Sequence, residues 1–341
     1  MNRFLDLAQF ERAQIIDLLS LAQALQDRPE PRALAGRILG LVFFNPSLRT
    51  LASFQAGMAR LGGSSVVITP GQGTWQMETR RGAIMNGAAA EHIREGIPAL
   101  ASYCDALGVR AFSDGKNLAD DLHESVFGMI DALCDKPLIN MESAMNHPCQ
   151  ALADWRTLDE LEVPQSGKFV LSWVWHPKAL PLAVPAATLH MAAMRGMQVV
   201  VLRPEGFALP APIMDKARRA AQQAGGSVTE TGDRAAALAG AQVLYAKEWG
   251  STTDYGNAAA DARLRAELSD WCVREPWFAG AAPGAKLMHC LPVRRNTAVA
   301  DEVLDGPRAV VRREAFNRMA VQMAVLHRML AKPAAVSESI A

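Results

Sequence analysis

The segment FFNPSLRT, Phe43 to Thr50, gathers residue types suited to holding an anion. An apolar strand pattern runs into the turn signal Asn45-Pro46, and Ser47-Leu48-Arg49-Thr50 stands where the next helix should begin. A helix start offers free backbone N–H groups and the positive end of the dipole. Ser47 and Thr50 add hydroxyl donors, and Arg49 adds a guanidinium fork matched to phosphate oxygens. Alone, the tetrapeptide reads better as a capping serine followed by a surface arginine. The rest of the chain argues for the phosphate.

Other strand ends carry a matching set. Arg110 lies within GVRAF, Glu142 and His147-Pro148-Cys149-Gln150 follow LINM, and His176-Pro177-Lys178 follows FVLSWVW. Lys247 closes VLYAK, and His289-Cys290-Leu291-Pro292 closes KLMHCL. In doubly wound sheets, ligands sit beyond the carboxyl ends of the strands, so the set predicts one cleft between two halves. His147 begins a helical pattern with Pro148 at a first-turn position, where a missing N–H does no harm. It can donate to an oxygen that becomes negative, and the dipole favours its neutral form. Gln150 can both donate to and accept from an amide. Arg110 needs a partner among its apolar neighbours, because a buried unpaired guanidinium is costly. A bound phosphate or carbonyl oxygen would serve, and so would a carboxylate such as Asp105. The Cys-Leu-Pro turn of HCLPVRRN presents backbone carbonyls to N–H groups, while Arg295 reads as solvated. Trp75, in GQGTWQMETRRG, can cover a ligand or meet a second subunit. A zinc set of His147, Cys149, His289 and Cys290 is disfavoured, since His-x-Cys and adjacent His-Cys are poor ligand spacings.

Positioning these residues requires an α/β framework. Strands are expected at 38–44, 64–69, 107–112, 137–141, 169–175, 197–202, 242–247 and 286–291. Helical patterns fall at 50–62, 91–104, 121–134, 147–161, 182–195, 212–225 and 261–270. Near-continuous apolar strands alternating with helices predict parallel sheets covered on both faces. The pattern occurs twice, before and after about residue 145, which predicts two α/β domains. Helical patterns at 7–25 and 315–331 bracket both halves, as a C-terminal helix returning to the first domain would explain. The tail after Pro333 reads as disordered.

Composition narrows the function classes. At 341 residues the chain is long for one core. Lys+Arg (35) balance Asp+Glu (35), which argues against nucleic-acid or membrane-surface partners needing a clustered positive excess. Five cysteines without CxxC spacing read as reduced thiols. The N-terminus carries charges throughout, unlike a signal peptide, and no segment reaches the roughly 18 uncharged apolar residues of a membrane span. A soluble, cytoplasmic protein is expected. Neither GxGxxG nor GxxxxGK[ST] follows the first strand, so a generic nucleotide-binding protein is disfavoured.

Strand–Ser-x-Arg-Thr, GVR, HPCQ and HCLP, in this order and at these separations, resemble the aspartate/ornithine transcarbamylase superfamily over nearly the whole chain. The resemblance implies an α/β fold of two doubly wound parallel-sheet domains with N- and C-terminal helices packed together. Residues 1–143, with the returning helix 315–332, would bind carbamoyl phosphate, and residues 144–314 would bind the acceptor. It implies a homotrimer with shared active sites, no metal or organic cofactor, and carbamoyl transfer from carbamoyl phosphate to an amine. The carbamoyl-phosphate ligands fall on Ser47, Leu48 (backbone), Arg49, Thr50, Trp75, Arg110, His147, Pro148, Cys149, Gln150, Cys290, Leu291 and Arg318. Of these, Arg49, Thr50, Arg110, His147, Gln150 and Cys290 would act in catalysis.

The acceptor follows from departures within the superfamily. The ornithine enzyme's Asp-x-x-x-Ser-Met-Gly is absent, with YAKEWGS in its place, and Trp75 occupies the region of the aspartate enzyme's Ser and Lys loop. Both features are similar to the N-acylornithine transcarbamylases of arginine synthesis. Carried over, Glu142, His176 and Lys247 hold the acylornithine, with Lys247 on its α-carboxylate, and Trp75 reaches a neighbouring site. Ala90 matches a Glu of the acetyl enzyme and a Pro of the succinyl enzyme; Pro181 replaces an Asn and Ala298 a Lys of the acetyl enzyme. A carboxylate at position 90 would repel a succinyl carboxylate, so a succinyl preference over acetyl is expected. The family's second arginine is missing, with Leu51 in its place, and Arg80, Arg81 or Arg294 could compensate. The alternatives are an ornithine carbamoyltransferase and a non-catalytic carbamoyl-phosphate-binding paralogue. Retention of Arg49, Thr50, Arg110, His147, Gln150 and HCLP disfavours the latter.

Overall fold

A computed structural model describes residues 1–331; the tail beyond Pro333 and Lys332, at the end of the expected last helix, lie outside the described residues. In chain order the strands are β1 (Arg3–Phe4), β2 (Ile38–Phe43), β3 (Ser64–Ile68), β4 (Met77–Glu78), β5 (Glu91–His92), β6 (Ala106–Arg110), β7 (Leu138–Glu142), β8 (Lys168–Trp173), β9 (Gln198–Leu202), β10 (Ser227–Thr231), β11 (Val243–Lys247) and β12 (Lys286–Met288). The helices are α1 (Arg12–Asp27), α2 (Leu48–Arg60), α3 (Ile93–Tyr103), α4 (Leu118–Leu122), α5 (Ser125–Leu133), α6 (Pro148–Glu160), α7 (Ala183–Arg195), α8 (Ala211–Ala224), α9 (Arg234–Leu238), α10 (Ala258–Ala266), α11 (Asp301–Leu304) and α12 (Val311–Leu330).

Two five-stranded sheets form, in the orders β1-β7-β6-β2-β3 and β10-β9-β8-β11-β12. Every pairing within them is parallel. Central strands such as β6, β7 and β11 are buried along their whole length, which is why they read as apolar runs. Each sheet has a switch point, β2/β6 in the first and β8/β11 in the second, where successive connections leave in opposite directions. Ser47–Thr50, Arg110, His176 and Lys247 end or follow the strands flanking these two points, and Glu142–Gln150 and His289–Pro292 end or follow the next strands out, β7 and β12.

The eight expected strands are all present. The helical pattern at 121–134 is two helices, because Glu124 takes a left-handed conformation (φ 52°) between α4 and α5. Its carboxylate rewards that strain by accepting from Ser143 Oγ (2.6 Å) and from the backbone N–H groups of Met145 (3.0 Å) and Ala144 (3.1 Å). The pattern at 7–25 is likewise a 3-10 turn, Leu7–Gln9, followed by α1.

Helix α12 packs against α1, α2 and α6, so the end of the chain returns to its beginning. Gly57 of α2 permits that approach: a Cβ there would lie 3.2 Å from Met323 Cγ of α12. Helix α6 is buried from Pro148 to Leu158, and its first turn is thereby fixed between the two sheets. Three helices from distant parts of the sequence therefore present their ends or faces to one place.

Candidate active site

At the start of α2, Ser47 is the N-cap, and its Oγ accepts from the backbone N–H of Thr50 at 3.3 Å. Thr50 is fully buried, and its Oγ1 accepts from Ser47 Oγ (2.9 Å) and from Arg318 Nη2 of α12 (2.6 Å). Leu48 is exposed, leaving its backbone free to face a ligand. Arg110, at the end of β6, lies over the Phe112 ring and is paired with Glu142 at the end of β7. Glu142 Oε2 also lies 3.3 Å from Nε2 of His147, the residue preceding Pro148 at the start of α6.

Arg49, Arg110 and Arg318 share one feature: their Nε atoms are buried and find no hydrogen-bond partner among the described residues. His147 Nδ1 and Gln150 Oε1 are in the same state. These groups face one another electrostatically. Burial pushes the Arg49 and Arg318 pKa values down, and the charges of neighbouring arginines add to this. Burial, then Arg318, Arg110 and Arg49, hold His147 well below its ordinary range, so it is neutral. At an effective dielectric of about 20, two unit charges about 4 Å apart interact by roughly 4 kcal/mol, so charge balance matters here. Glu142 alone cannot offset three guanidinium groups, and a phosphate dianion would. Gln150 Oε1 is an acceptor suited to an amide N–H, while its Nε2 donates to Asp154 Oδ1 at 2.7 Å.

The opposite wall comes from β11 and β12. Lys247 and Glu248 are buried, with Nζ donating to Glu248 Oε2 at 2.9 Å. Burial alone would lower the Lys247 pKa, but the charge and hydrogen bond of Glu248 outweigh it and keep the ammonium charged. His289 Nδ1 accepts from the Leu291 N–H at 2.8 Å, so its Nε2 carries the proton toward Glu248, 3.3 Å away. Leu291 is held at φ 59°, a rare conformation for this side chain, and precedes a cis Pro292. The Cys290 thiol is pushed up to about 12, chiefly by burial, and so stays protonated at neutral pH. His176, after β8, accepts from Arg294 Nε at 2.9 Å through Nε2. Its pKa is lowered by burial first, with Arg294 and Lys247 contributing.

The fold thus brings Ser47, Arg49, Thr50, Arg110, Glu142, His147, Gln150, Lys247, Cys290 and Arg318 into one charged cluster. Trp75 and Ala90 stand apart from it within the chain. They border a shallow hollow of about 610 Å³ with Met85, Glu91 and His92, and Trp75 Nε1 donates to Glu91 Oε2 at 2.6 Å. A larger hollow of about 1200 Å³, near Arg81, Arg94 and Asp120, contains none of the cluster residues. Unsatisfied buried donors mark the site better than cavity size does.

Some expectations are corrected. Asp105 is not Arg110's partner; it accepts from Arg37 Nη1 (2.6 Å) and the Ile38 N–H (2.8 Å). Leu51 packs against the core. Arg80 is tied to Glu78 on the exposed Trp75 loop (2.7 Å), Arg81 is exposed beside it, and Arg294 is engaged with His176. Asp154, Tyr245, Glu248 and Glu314 escaped the sequence reading. Asp154 stands four residues after Gln150 and Glu314 four before Arg318, on the same helix faces, and that spacing was the available signal.

Comparison with known proteins gives the family. The carbamoyl-P binding domain of aspartate/ornithine carbamoyltransferases matches residues 2–160, and the Asp/Orn binding domain matches residues 184–329. N-acetylornithine carbamoyltransferase of Xanthomonas campestris pv. campestris is 37% identical over 330 residues, covering 96% of this chain and 97% of that protein. N-succinylornithine carbamoyltransferase of Bacteroides fragilis is 35% identical over 296 residues, covering 86% and 87%. A glutamate-to-alanine variant of N-acetyl-L-ornithine transcarbamylase, solved with carbamyl phosphate and N-succinyl-L-norvaline, superposes with a TM-score of 0.92 at 36% identity, covering 96% of this chain and all of that one. The chain belongs to the aspartate/ornithine carbamoyltransferase family.

Arg49→Ala removes one charge-assisted contact to the anion, and should raise the Kd for inorganic phosphate roughly 10- to 100-fold by calorimetry. An unchanged Kd would place the anion elsewhere.

Proposed function

We propose that this member of the N-acylornithine branch transfers the carbamoyl group of carbamoyl phosphate to the side-chain amine of an N-acylornithine, giving N-acylcitrulline and phosphate for arginine synthesis. The observation that carries this reading is the set of buried, unpartnered guanidinium nitrogens at the start of α2, beside a neutral His147 and an open Gln150 carbonyl. Ser47, Arg49, Thr50, Arg110 and Arg318, with the backbone N–H of Leu48, take the phosphate. The carbamoyl N–H groups go to Gln150 Oε1 and to the carbonyls of Cys290 and Leu291.

The neutral amine attacks the carbamoyl carbon, and the carbonyl oxygen becomes an oxyanion that Arg110, His147 and Thr50 stabilise. The C–O bond to phosphate then breaks, its electrons leave with phosphate, and the amine's surplus proton passes to a phosphate oxygen. Holding both substrates in one orientation supplies much of the remaining acceleration. No protein nucleophile enters, consistent with a Cys290 thiol that stays protonated. Residues 1–143 with the returning helix form the carbamoyl-phosphate domain and residues 144–314 the acceptor domain. The acceptor's α-carboxylate lies at Lys247, beside Glu142 and His176.

Trp75 and Ala90 act on a neighbouring subunit's site in a cytoplasmic homotrimer, which fits their separation from the cluster within one chain. We favour N-succinylornithine over N-acetylornithine. Ala90 carries no carboxylate to repel a succinyl group, and the glutamate-to-alanine variant named above accommodates N-succinyl-L-norvaline.

The test is ureido-product formation from carbamoyl phosphate with N-succinylornithine, N-acetylornithine and ornithine in parallel. Turnover greatest with the succinyl acceptor and absent with ornithine is expected; equal or better rates with N-acetylornithine would overturn the acyl preference, and turnover of ornithine alone the acceptor class. Lys247→Ala should raise the KM for acylornithine at least about tenfold while leaving that for carbamoyl phosphate within about threefold. Equal effects on both would remove Lys247 from the acceptor site.

A further inference from the structure

Beneath the cluster lie two carboxyl groups that the reaction does not use. Asp154 of α6 and Glu314 of α12 are both essentially inaccessible to solvent. Asp154 Oδ1 accepts from Gln150 Nε2 (2.7 Å), and its Oδ2 accepts from the Tyr245 hydroxyl of β11 (3.0 Å). Glu314 Oε2 accepts from the His289 backbone N–H (3.0 Å), the residue that starts the Cys290–Leu291 turn. Glu314 Oε1 is buried and, among the described residues, receives no donor. The two side chains meet across the packed helices α6 and α12, close enough for each to perturb the other's ionisation. Two carboxylates can only accept, so that contact requires a proton.

We propose that Asp154 and Glu314 share one proton, carried on Glu314 Oε1 and donated to Asp154, and that this pair is a positioning unit for carbamoyl transfer. Through Asp154 it aims the Gln150 carbonyl at the carbamoyl N–H; through Glu314 it fixes the turn whose carbonyls take the same group. Two ionised carboxyls buried side by side would repel strongly, and among the described residues no cation hydrogen-bonds to either. Burial raises the pKa of both; the charge of Asp154 raises that of Glu314 further, while Gln150, Tyr245 and Glu314 as hydrogen-bond partners hold that of Asp154 lower than burial alone would. The groups facing the pair are Gln150 from α6, Tyr245 from β11, Arg318 from α12 and Cys290 from the turn. Of these only Arg318 is charged, and it acts through space on Asp154. Tyr245 is itself held protonated by burial and by Asp154.

The direction of the proton gives the test its asymmetry. In Glu314→Gln the amide N–H still donates to Asp154 and its carbonyl still accepts from His289. In Asp154→Asn one acceptor oxygen becomes a donor, opposing either the N–H of Gln150 or the Tyr245 hydroxyl. Glu314→Gln is expected to keep kcat/KM for carbamoyl phosphate within about threefold at neutral pH, while Asp154→Asn and Glu314→Ala lose at least about tenfold, with the KM for acylornithine unmoved. The alkaline fall in wild-type kcat/KM caused by losing the shared proton should be missing in Glu314→Gln. Infrared spectroscopy of the unliganded enzyme should show a carboxylic-acid C=O band at neutral pH that Glu314→Gln abolishes. The kinetic arm rests on the carbamoyl-transfer reading; the infrared band needs no substrate and tests the pair even if that reading fails. Absence of the band, or equal losses in Glu314→Gln and Asp154→Asn, would overturn the proposal.

Discussion

The structure depends on gathering three guanidinium groups, the buried Arg110 and Arg318 and the half-buried Arg49, around a single carboxylate, Glu142. Such a cluster is electrostatically unfavourable when left unbalanced, since burial weakens solvation while like charges repel. The fold meets that cost through its rigid surroundings. Arg110 is fixed by the end of a fully buried strand, and Arg318 by a helix packed against α1, α2 and α6. Thr50 connects the helix start to Arg318 directly. A cluster held in this way is preorganised for an anion and pays no rearrangement cost when one arrives.

The second wall balances its own charges. Lys247 is buried with Glu248, and Glu248 also faces the protonated Nε2 of His289. The two sides thus differ in kind: one has surplus positive charge and open donors, the other is internally satisfied. That difference suits the proposed division of the site, with phosphate held on one side and the acceptor's carboxylate on the other. Glu142 lies between them, close enough to influence both Arg49 and Lys247.

Much of this was legible in the sequence because buried parallel strands write themselves as apolar runs and their ends as polar interruptions. The strand β10, SVTET, was missed for the opposite reason: it is an edge strand whose residues are largely solvated, so no apolar run marks it. The break at Glu124 was invisible because its left-handed backbone is supported by Ser143, Ala144 and Met145, contacts made some twenty residues away. Ser47 and Thr50 were recognisable from local capping chemistry. The partners of Arg110 were not, since Asp105 and Glu142 are equally plausible along the chain and only sheet register selects Glu142. Arg318 came from family resemblance alone, its contact to Thr50 spanning 268 residues.

The most direct measurement is a crystal structure of the enzyme with carbamoyl phosphate and N-succinyl-L-norvaline, an acceptor analogue lacking the side-chain amine. The account predicts phosphate oxygens on Arg49, Thr50, Arg110 and Arg318, the carbamoyl N–H groups on Gln150 Oε1 and the Cys290–Leu291 carbonyls, and the analogue's α-carboxylate at Lys247. Phosphate bound away from the start of α2, or a carbamoyl carbon turned away from the analogue's side chain, would contradict it.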